Sequence, residues 1–252
     1  MRLDTAYPLA HPVFEALALF VGAQYYRILR RRAGAPGLLT GKDFGVVLGC
    51  VFGAALGNKL VFWAEFPHLL PRYWDQPAVL LAGQSMVGGL LGGLLGVELA
   101  KKLTGITRST GDDFVFPVLL GLMIGRVGCF LAGLSDGTYG VATSLPWGID
   151  FGDGVARHPT QLYEIVFAGL LWVWLRRLRP TLGQTPGLLF KLMLSAYLLW
   201  RLLVDFLKPV PYEFPGGLSG IQIVCILALL IYLPLVVSNW RGIRLFPLKA
   251  ES

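Results

Sequence analysis

Charge is scarce in this sequence. Asp, Glu, Lys and Arg make up 15% of its 252 residues, against about 25% in a soluble domain. So few ionisable side chains cannot clothe a core of this size, and a soluble globular domain is not expected. Cysteine is rare too: Cys50, Cys129 and Cys225 lie in separate apolar stretches without C-x-x-C spacing. They read as buried apolar fillers and not as disulfides or metal ligands. The three histidines, at positions 11, 68 and 158, have no local ligand spacing, so the sequence predicts no metal site and no cofactor. No long polar segment is present beyond roughly 135–157, which leaves no room for an appended soluble domain; one transmembrane domain over 1–252 is expected.

What the chain has in abundance is hydrophobic surface, 55% of residues, with a mean hydropathy of +0.63. Apolar runs of about 17–22 residues fall near 12–29, 44–64, 79–100, 114–134, 160–178, 188–207 and 219–237. Each is long enough for a hydrocarbon layer of roughly 30 Å. The pattern predicts an all-α integral membrane protein with seven transmembrane helices. Basic residues fix its orientation. Arg27, Arg30, Arg31, Arg32 and Lys42 follow the first run, Lys101, Lys102 and Arg108 the third, Arg176, Arg177 and Arg179 the fifth, and Arg241, Arg244 and Lys249 the last. The positive-inside rule then places the N-terminus outside and the C-terminus in the cytoplasm. The first run lacks a small-residue cleavage site after it and reads as a retained helix.

The net charge of +7 is largely this loop bias, which anionic headgroups satisfy. Its scatter over separate short loops gives no nucleic-acid footprint. Trp63, Tyr73, Trp74 and Trp147 read as interfacial anchors.

Polar groups within the apolar runs need a reason, because ionisable side chains are costly in hydrocarbon. Arg126, in Gly125-Arg126-Val127-Gly128-Cys129-Phe130, needs an anionic partner: a phosphodiester suits its planar fork, and an internal ion pair is the alternative. In Arg157-His158-Pro159-Thr160-Gln161-Leu162-Tyr163-Glu164, Pro159 suits a first helical turn. Gln161 and Glu164 then share a face beside Tyr163. Arg157 and His158 stand at the helix mouth, where an anion is favoured, although His158 can equally cap and pack. Arg201 and Asp205 are i, i+4 partners, with Lys208 beyond. The glycines Gly88, Gly92 and Gly96 form a stripe for close helix packing or for the wall of an acyl-chain groove. Arg126, Arg157 and Arg201, on three different helices, are thus expected to converge on a phospholipid headgroup near the outer leaflet.

These residues resemble the bacterial prolipoprotein diacylglyceryl transferases, over roughly residues 12–237. The stretch 157–164 is essentially the family's R-H-P-S-Q-L-Y-E, and Gly125-Arg126-Val127-Gly128 resembles the start of its G-R-x-G-N-F-x-N-G-E signature. Gly83-Gln84-Ser85-Met86-Val87-Gly88-Gly89 is similar to G-M-S-F-H-G-G. Arg201 to Asp205 and Leu218-Ser219-Gly220-Ile221-Gln222 are similar to R-F-x-x-E-F and L-S-x-G-Q.

The resemblance implies a multi-pass transferase of the bacterial inner membrane. It would move the diacylglyceryl group of phosphatidylglycerol, or a related anionic phospholipid, to the cysteine thiol of a prolipoprotein lipobox. Arg126 and Arg201 are the expected catalytic groups. Arg157, His158, Gln161, Tyr163, Glu164, Asp205, Ser85 and Gly88 are the expected substrate-binding set. The chain departs from the pattern at Val87, where the family has histidine, and at Cys129, Ala132 and Leu134, where it has asparagine, asparagine and glutamate. It departs again at Ala55, in place of an arginine. Those departures keep two other readings open: a lipid-dependent transferase with a different acceptor, and a non-catalytic lipid-binding membrane protein.

Overall fold

The computed structural model describes residues 7, 9–35, 41–182 and 185–244. The chain is mostly helical, because in lipid every backbone N–H and C=O must find a partner inside its own segment. The helices are α1 (Ala10–Arg32), α2 (Gly41–Glu65), two short ones, α3 (Leu69–Arg72) and α4 (Pro77–Ala82), then α5 (Met86–Thr104) and α6 (Val115–Ala132). A two-stranded antiparallel hairpin, β1 (Ile149–Asp150) with β2 (Ala156–Arg157), precedes α7 (Thr160–Leu182), α8 (Leu188–Val204) and α9 (Gly220–Arg244).

The seven apolar runs all fall on helices, with one correction. The run at 79–100 is not continuous: it breaks at Gly83–Ser85 into α4 and α5. Ser85, the N-cap of α5, ends the break: its side chain accepts a hydrogen bond from the backbone N–H of Gly88. Among the described residues, three helical segments are long and apolar enough to cross a membrane by length and composition: Asp43–Glu65, Gly111–Asp136 and Gly220–Trp240. The others carry more charge or are shorter. Arginines crowd the last turn of α1 and the C-terminal part of α7, Glu98, Lys101 and Lys102 sit in α5, and α8 has 17 residues.

The chain divides into two compact units. One comprises Arg27–Arg108 and Val210–Ile226 and is organised around α2 and α5. Gly49, Gly53 and Gly57 of α2 face Gly96, Gly92 and Gly88 of α5 so closely that a Cβ on Gly49 would lie 2.5 Å from the carbonyl oxygen of Gly96. The glycine stripe is therefore spent on helix packing, backbone against backbone. Lys59 donates to the carbonyls of Leu81 and Gly83 at the open end of α4. At the start of α9, Ser219 and Gln222 exchange hydrogen bonds in a capping box, side-chain oxygen to backbone N–H, at 2.9 and 3.1 Å.

The other unit comprises Met1–Tyr26, Ser109–Pro209 and Leu227–Ser252. Its core lies along α6, α7 and α8, where Leu119, Ala168, Leu175, Leu194 and Leu198 are fully buried. Asp112 fixes the start of α8 from outside, accepting from the backbone N–H of Gly187 and Phe190 at 2.6 and 2.9 Å. Gly128 lets α1 pack against α6: a Cβ there would lie 2.5 Å from that of Phe14.

Candidate active site

Arg126 projects from the second half of α6 toward α7. Its Nη2 donates to Oε1 of Glu164 at 3.2 Å, while Nε stands 2.9 Å from Oε2, off the direction a good hydrogen bond needs. Both side chains are nearly inaccessible to solvent. From α8, the Tyr197 hydroxyl donates to the same Oε1 at 2.9 Å. Two donors thus fix one buried carboxylate, which in turn holds the guanidinium in a defined plane.

One turn further along α8, Nη2 of Arg201 lies 3.0 Å from Oδ1 of Asp205, again with both partners buried. The i, i+4 pairing expected from the sequence is present, carried by the α8 end and the turn at Asp205–Leu207. Arg201 and Lys208 also act electrostatically on Glu164. Lys208 keeps partial solvent contact, yet the protein packed around its amine pushes it down to about 7. The charges of Arg201 and Arg126 act in the same direction, and the carboxylates of Glu164 and Asp205 oppose them. With Lys208 protonated, three cations face two carboxylates, which leaves one positive charge.

Open hydrogen-bonding capacity accompanies that charge. Nη1 of Arg201 and both polar atoms of the Gln161 side-chain amide are buried without a hydrogen-bond partner among the described residues. Leaving such groups unpaired costs about 1–3 kcal/mol each, so they take a partner from outside the chain, an ordered water or a ligand. Gln161 is three residues from Glu164 on α7 and offers donors and an acceptor side by side.

Arg157 does not join this cluster, a correction to the expected convergence of three guanidiniums. It closes on Asp153 across the hairpin end, with Nη1 to Oδ1 at 2.6 Å and Nη2 to Oδ2 at 2.7 Å. It also lies over the Tyr139 ring, 5.1 Å from its centroid. The physical reason is local. Asp150 accepts from the N–H groups of Gly152 and Gly154, whose positive φ values of 104° and 81° turn the chain and bring Asp153 to Arg157. The hydrogen bond from Arg157 holds the Asp153 carboxyl below the ordinary carboxylate range, and the carboxylate raises Arg157 in return.

His158 and Tyr163 form a further set. The Tyr163 hydroxyl is 3.2 Å from Nδ1 of His158 and accepts from Nε1 of Trp147 at 2.8 Å. Trp147 is thereby pinned to the start of α7. Gly140 makes room for this corner, since a Cβ there would lie 2.5 Å from that of His158.

Ser85 and Gly88, expected in the substrate-binding set, belong to the α2–α5 unit and do structural work there. Ser85 caps α5, and its N–H donates to Oδ1 of Asn58 at 2.6 Å. The backbone of Gly88 is covered by Gly57. Val87, at the family's histidine position, is buried.

Sequence reasoning left out Tyr197 as a site residue, although its place four residues before Arg201 puts both on one face of α8. It also missed a second cluster. His11 of α1 lies with Nδ1 2.5 Å from Oδ1 of Asp136 and 3.7 Å from Sγ of Cys129, and Nη1 of Arg126 is 3.7 Å from the same sulfur. No spacing rule links residues 118 positions apart.

Residues 11–238 match the family model described as prolipoprotein diacylglyceryl transferase. A phosphatidylglycerol–prolipoprotein diacylglyceryl transferase of Nitratidesulfovibrio vulgaris is 33% identical over 241 residues, 87% of this chain and 86% of that protein. Proteins of the same name are 36% identical in Geobacter sulfurreducens, over 77% of this chain and 76% of the relative, and 34% identical in Bordetella avium, over 84% and 83%.

Proposed function

The chain belongs to the prolipoprotein diacylglyceryl transferase family, and from that premise we infer how its buried cluster works. It is a transferase of lipoprotein biosynthesis that passes the diacylglyceryl group of phosphatidylglycerol to a prolipoprotein. The acceptor is the thiol of the lipobox cysteine. The thiol gives up its proton to water, its sulfur attacks the phosphate-bearing carbon of the diacylated glycerol, that carbon–oxygen bond breaks, and glycerol phosphate leaves with the electron pair.

Negative charge collects on that departing phosphate, and preorganised cations are what stabilise it. Arg126 and Arg201 are the catalytic groups of this reading. Glu164, Tyr197 and Asp205 fix the guanidiniums in place, so little reorganisation remains at the moment of reaction. Gln161 binds the glycerol end of the headgroup through its open amide. Lys208 supplies the uncompensated positive charge. The observation that carries the assignment is the buried, unpartnered Nη1 of Arg201 and amide of Gln161, beside a guanidinium already held by Glu164.

Arg157, His158 and Tyr163 order the loop before α7 and present Trp147 at its edge, where the headgroup enters. The chain forms one membrane domain of seven spans in the bacterial inner membrane, outside N-terminus and cytoplasmic C-terminus. The alternation of basic loops supports that topology, and the acyl chains then stay in lipid throughout the reaction. Membranes containing the wild-type protein should lipidate a lipobox peptide, and Arg126→Ala should abolish this. Full activity in that variant would overturn the assignment.

A further inference from the structure

Position 129 lies within the family's signature, and this chain places a cysteine there with a histidine and an aspartate against it. The ligand atoms of His11, Cys129 and Asp136 all lie within 4.8 Å of one another. Cys129 and the side chain of Asp136 are buried, while His11 is partly exposed. The cluster is built by the fold. The N–H of Tyr7 donates to the carbonyl of Leu131 at 3.1 Å, tying the start of α1 to the end of α6. Gly128 then admits α1 close enough for His11 to reach Cys129.

We propose that His11, Cys129 and Asp136 hold a zinc ion whose fourth position takes the thiolate of the acceptor cysteine. The proposal deepens the transferase reading and rests on it for the identity of the acceptor.

Donor chemistry supports it. One thiolate, one imidazole and one carboxylate are a ligand set for tetrahedral zinc, and three protein ligands leave the open position of a catalytic site. Thiolate and carboxylate together balance the charge of a divalent cation. Zinc bond lengths place sulfur and nitrogen ligands about 3.6 Å apart in a tetrahedron, and Sγ and Nδ1 stand at 3.7 Å. Nδ1 and Oδ1, at hydrogen-bonding distance of 2.5 Å, open by roughly 1 Å to admit the ion.

The outer partners fit as well. The second nitrogen of His11, Nε2, faces Oε2 of Glu15 at 3.8 Å. Oδ2 of Asp136 accepts from the Thr138 hydroxyl. Glu15 is within charge-pairing but not hydrogen-bonding distance of the imidazole, and the Thr138 donor on the spare carboxylate oxygen is the kind of support that orients a metal ligand.

The ion gives the reaction what Val87 cannot. An acceptor thiol binding zinc releases its proton to water and becomes a bound thiolate at neutral pH. Its lone pair forms the new sulfur–carbon bond as the carbon–oxygen bond to the phosphate breaks. Arg126 lies next to Cys129 and faces the departing phosphate, so the nucleophile and the leaving group are served from adjacent positions. The thioether product, a weaker ligand than the thiolate, then leaves the metal.

The test is cobalt(II) titration of the purified full-length protein. The expected result is one equivalent bound, with a thiolate-to-cobalt charge-transfer band. That band should be lost in Cys129→Ser, and affinity should fall at least about tenfold in His11→Gln and Asp136→Asn. Adding a lipobox peptide should strengthen the band, and its serine analogue should not. Absence of the band in the wild type, or a band indifferent to the peptide thiol, overturns the zinc site. The two readings fail separately. Full lipidation by chelator-treated wild type overturns the metal and leaves the transferase standing. Metal uptake by a protein that lipidates no peptide overturns the transferase, and with it the acceptor role given to the zinc.

Discussion

Arg126 and Glu164 meet across α6 and α7 with Glu164 buried and Arg126 nearly so, Nε 2.9 Å from one carboxylate oxygen and Nη2 3.2 Å from the other. Each is the other's condition for being there, since an isolated charge in this position would be prohibitively desolvated. The pair leaves Arg126 oriented but not extinguished, because Arg201 and Lys208 keep the surrounding field positive. Removing Glu164 therefore harms more than removing a neutral contact. Glu164→Ala should lower stability by about 3–5 kcal/mol, the range for stripping one partner from a buried pair. Thermal unfolding in detergent reads this, and a loss below 1 kcal/mol would contradict the buried pairing.

Tyr197 tests the precision of the same arrangement at smaller scale. Tyr197→Phe removes the hydroxyl that donates to Glu164 and nothing else. A hydrogen bond to a charged group contributes about 1.5–3 kcal/mol, so the variant should fold, melt earlier and turn over more slowly. Unchanged kcat would separate Tyr197 from the positioning of Arg126.

Lys208 gives the site a pH dependence near neutrality. Its amine is pushed down to about 7, so it is charged below that pH and neutral above it. Binding of an anionic headgroup should weaken as pH rises through that value. The profile of kcat/KM for phosphatidylglycerol, which reports free-enzyme groups, should fall on the alkaline side of about 7. Lys208→Arg, charged throughout, should flatten it. An identical profile in that variant would remove Lys208 from headgroup binding.

The α7 entrance should respond to acid instead. Asp153 has its folded pKa depressed by Arg157. Its contribution is complete above the ordinary carboxylate value of about 3.9 and is lost as pH falls through the lowered folded value. Hydrogen exchange in 149–157 should therefore rise only in strong acid. Asp153→Asn should reproduce that exchange at neutral pH while leaving the Arg126 cluster protected.

In the α2–α5 unit, Gly92→Leu should prevent folding, because the clash is with the backbone of α2 and no rotamer relieves it. Gly89→Ala is the control. Its Cβ would meet nothing closer than the Ala54 carbonyl at 4.0 Å, and alanine favours helix by about 1 kcal/mol. Expression and melting of the two variants should diverge sharply.

The sequence announced much of this through periodicity and through charges placed where charge is costly. Arg201–Asp205 was legible because helical spacing alone pairs them, and Arg126 because a guanidinium among apolar residues needs an anion. Glu164 was visible as a polar residue on the face of Gln161, though its partnership with Arg126 required the packing of α6 on α7. Arg157 misled because the motif around it is continuous in sequence, while the two glycines before it bend the chain onto Asp153. The glycine stripe at Gly88 was ambiguous, because it reads the same whether a helix or a lipid lies against it. His11, Cys129 and Asp136 were silent, since only the approach of α1 to α6 at Gly128 makes them neighbours.

The most direct measurement supplies the purified protein with phosphatidylglycerol labelled separately in headgroup and glycerol backbone, with and without lipobox peptide. The account predicts one glycerol phosphate released for each thioether formed, and neither product without the peptide or with Arg126→Ala. Headgroup release that ignores the peptide, or undiminished in that variant, would contradict it.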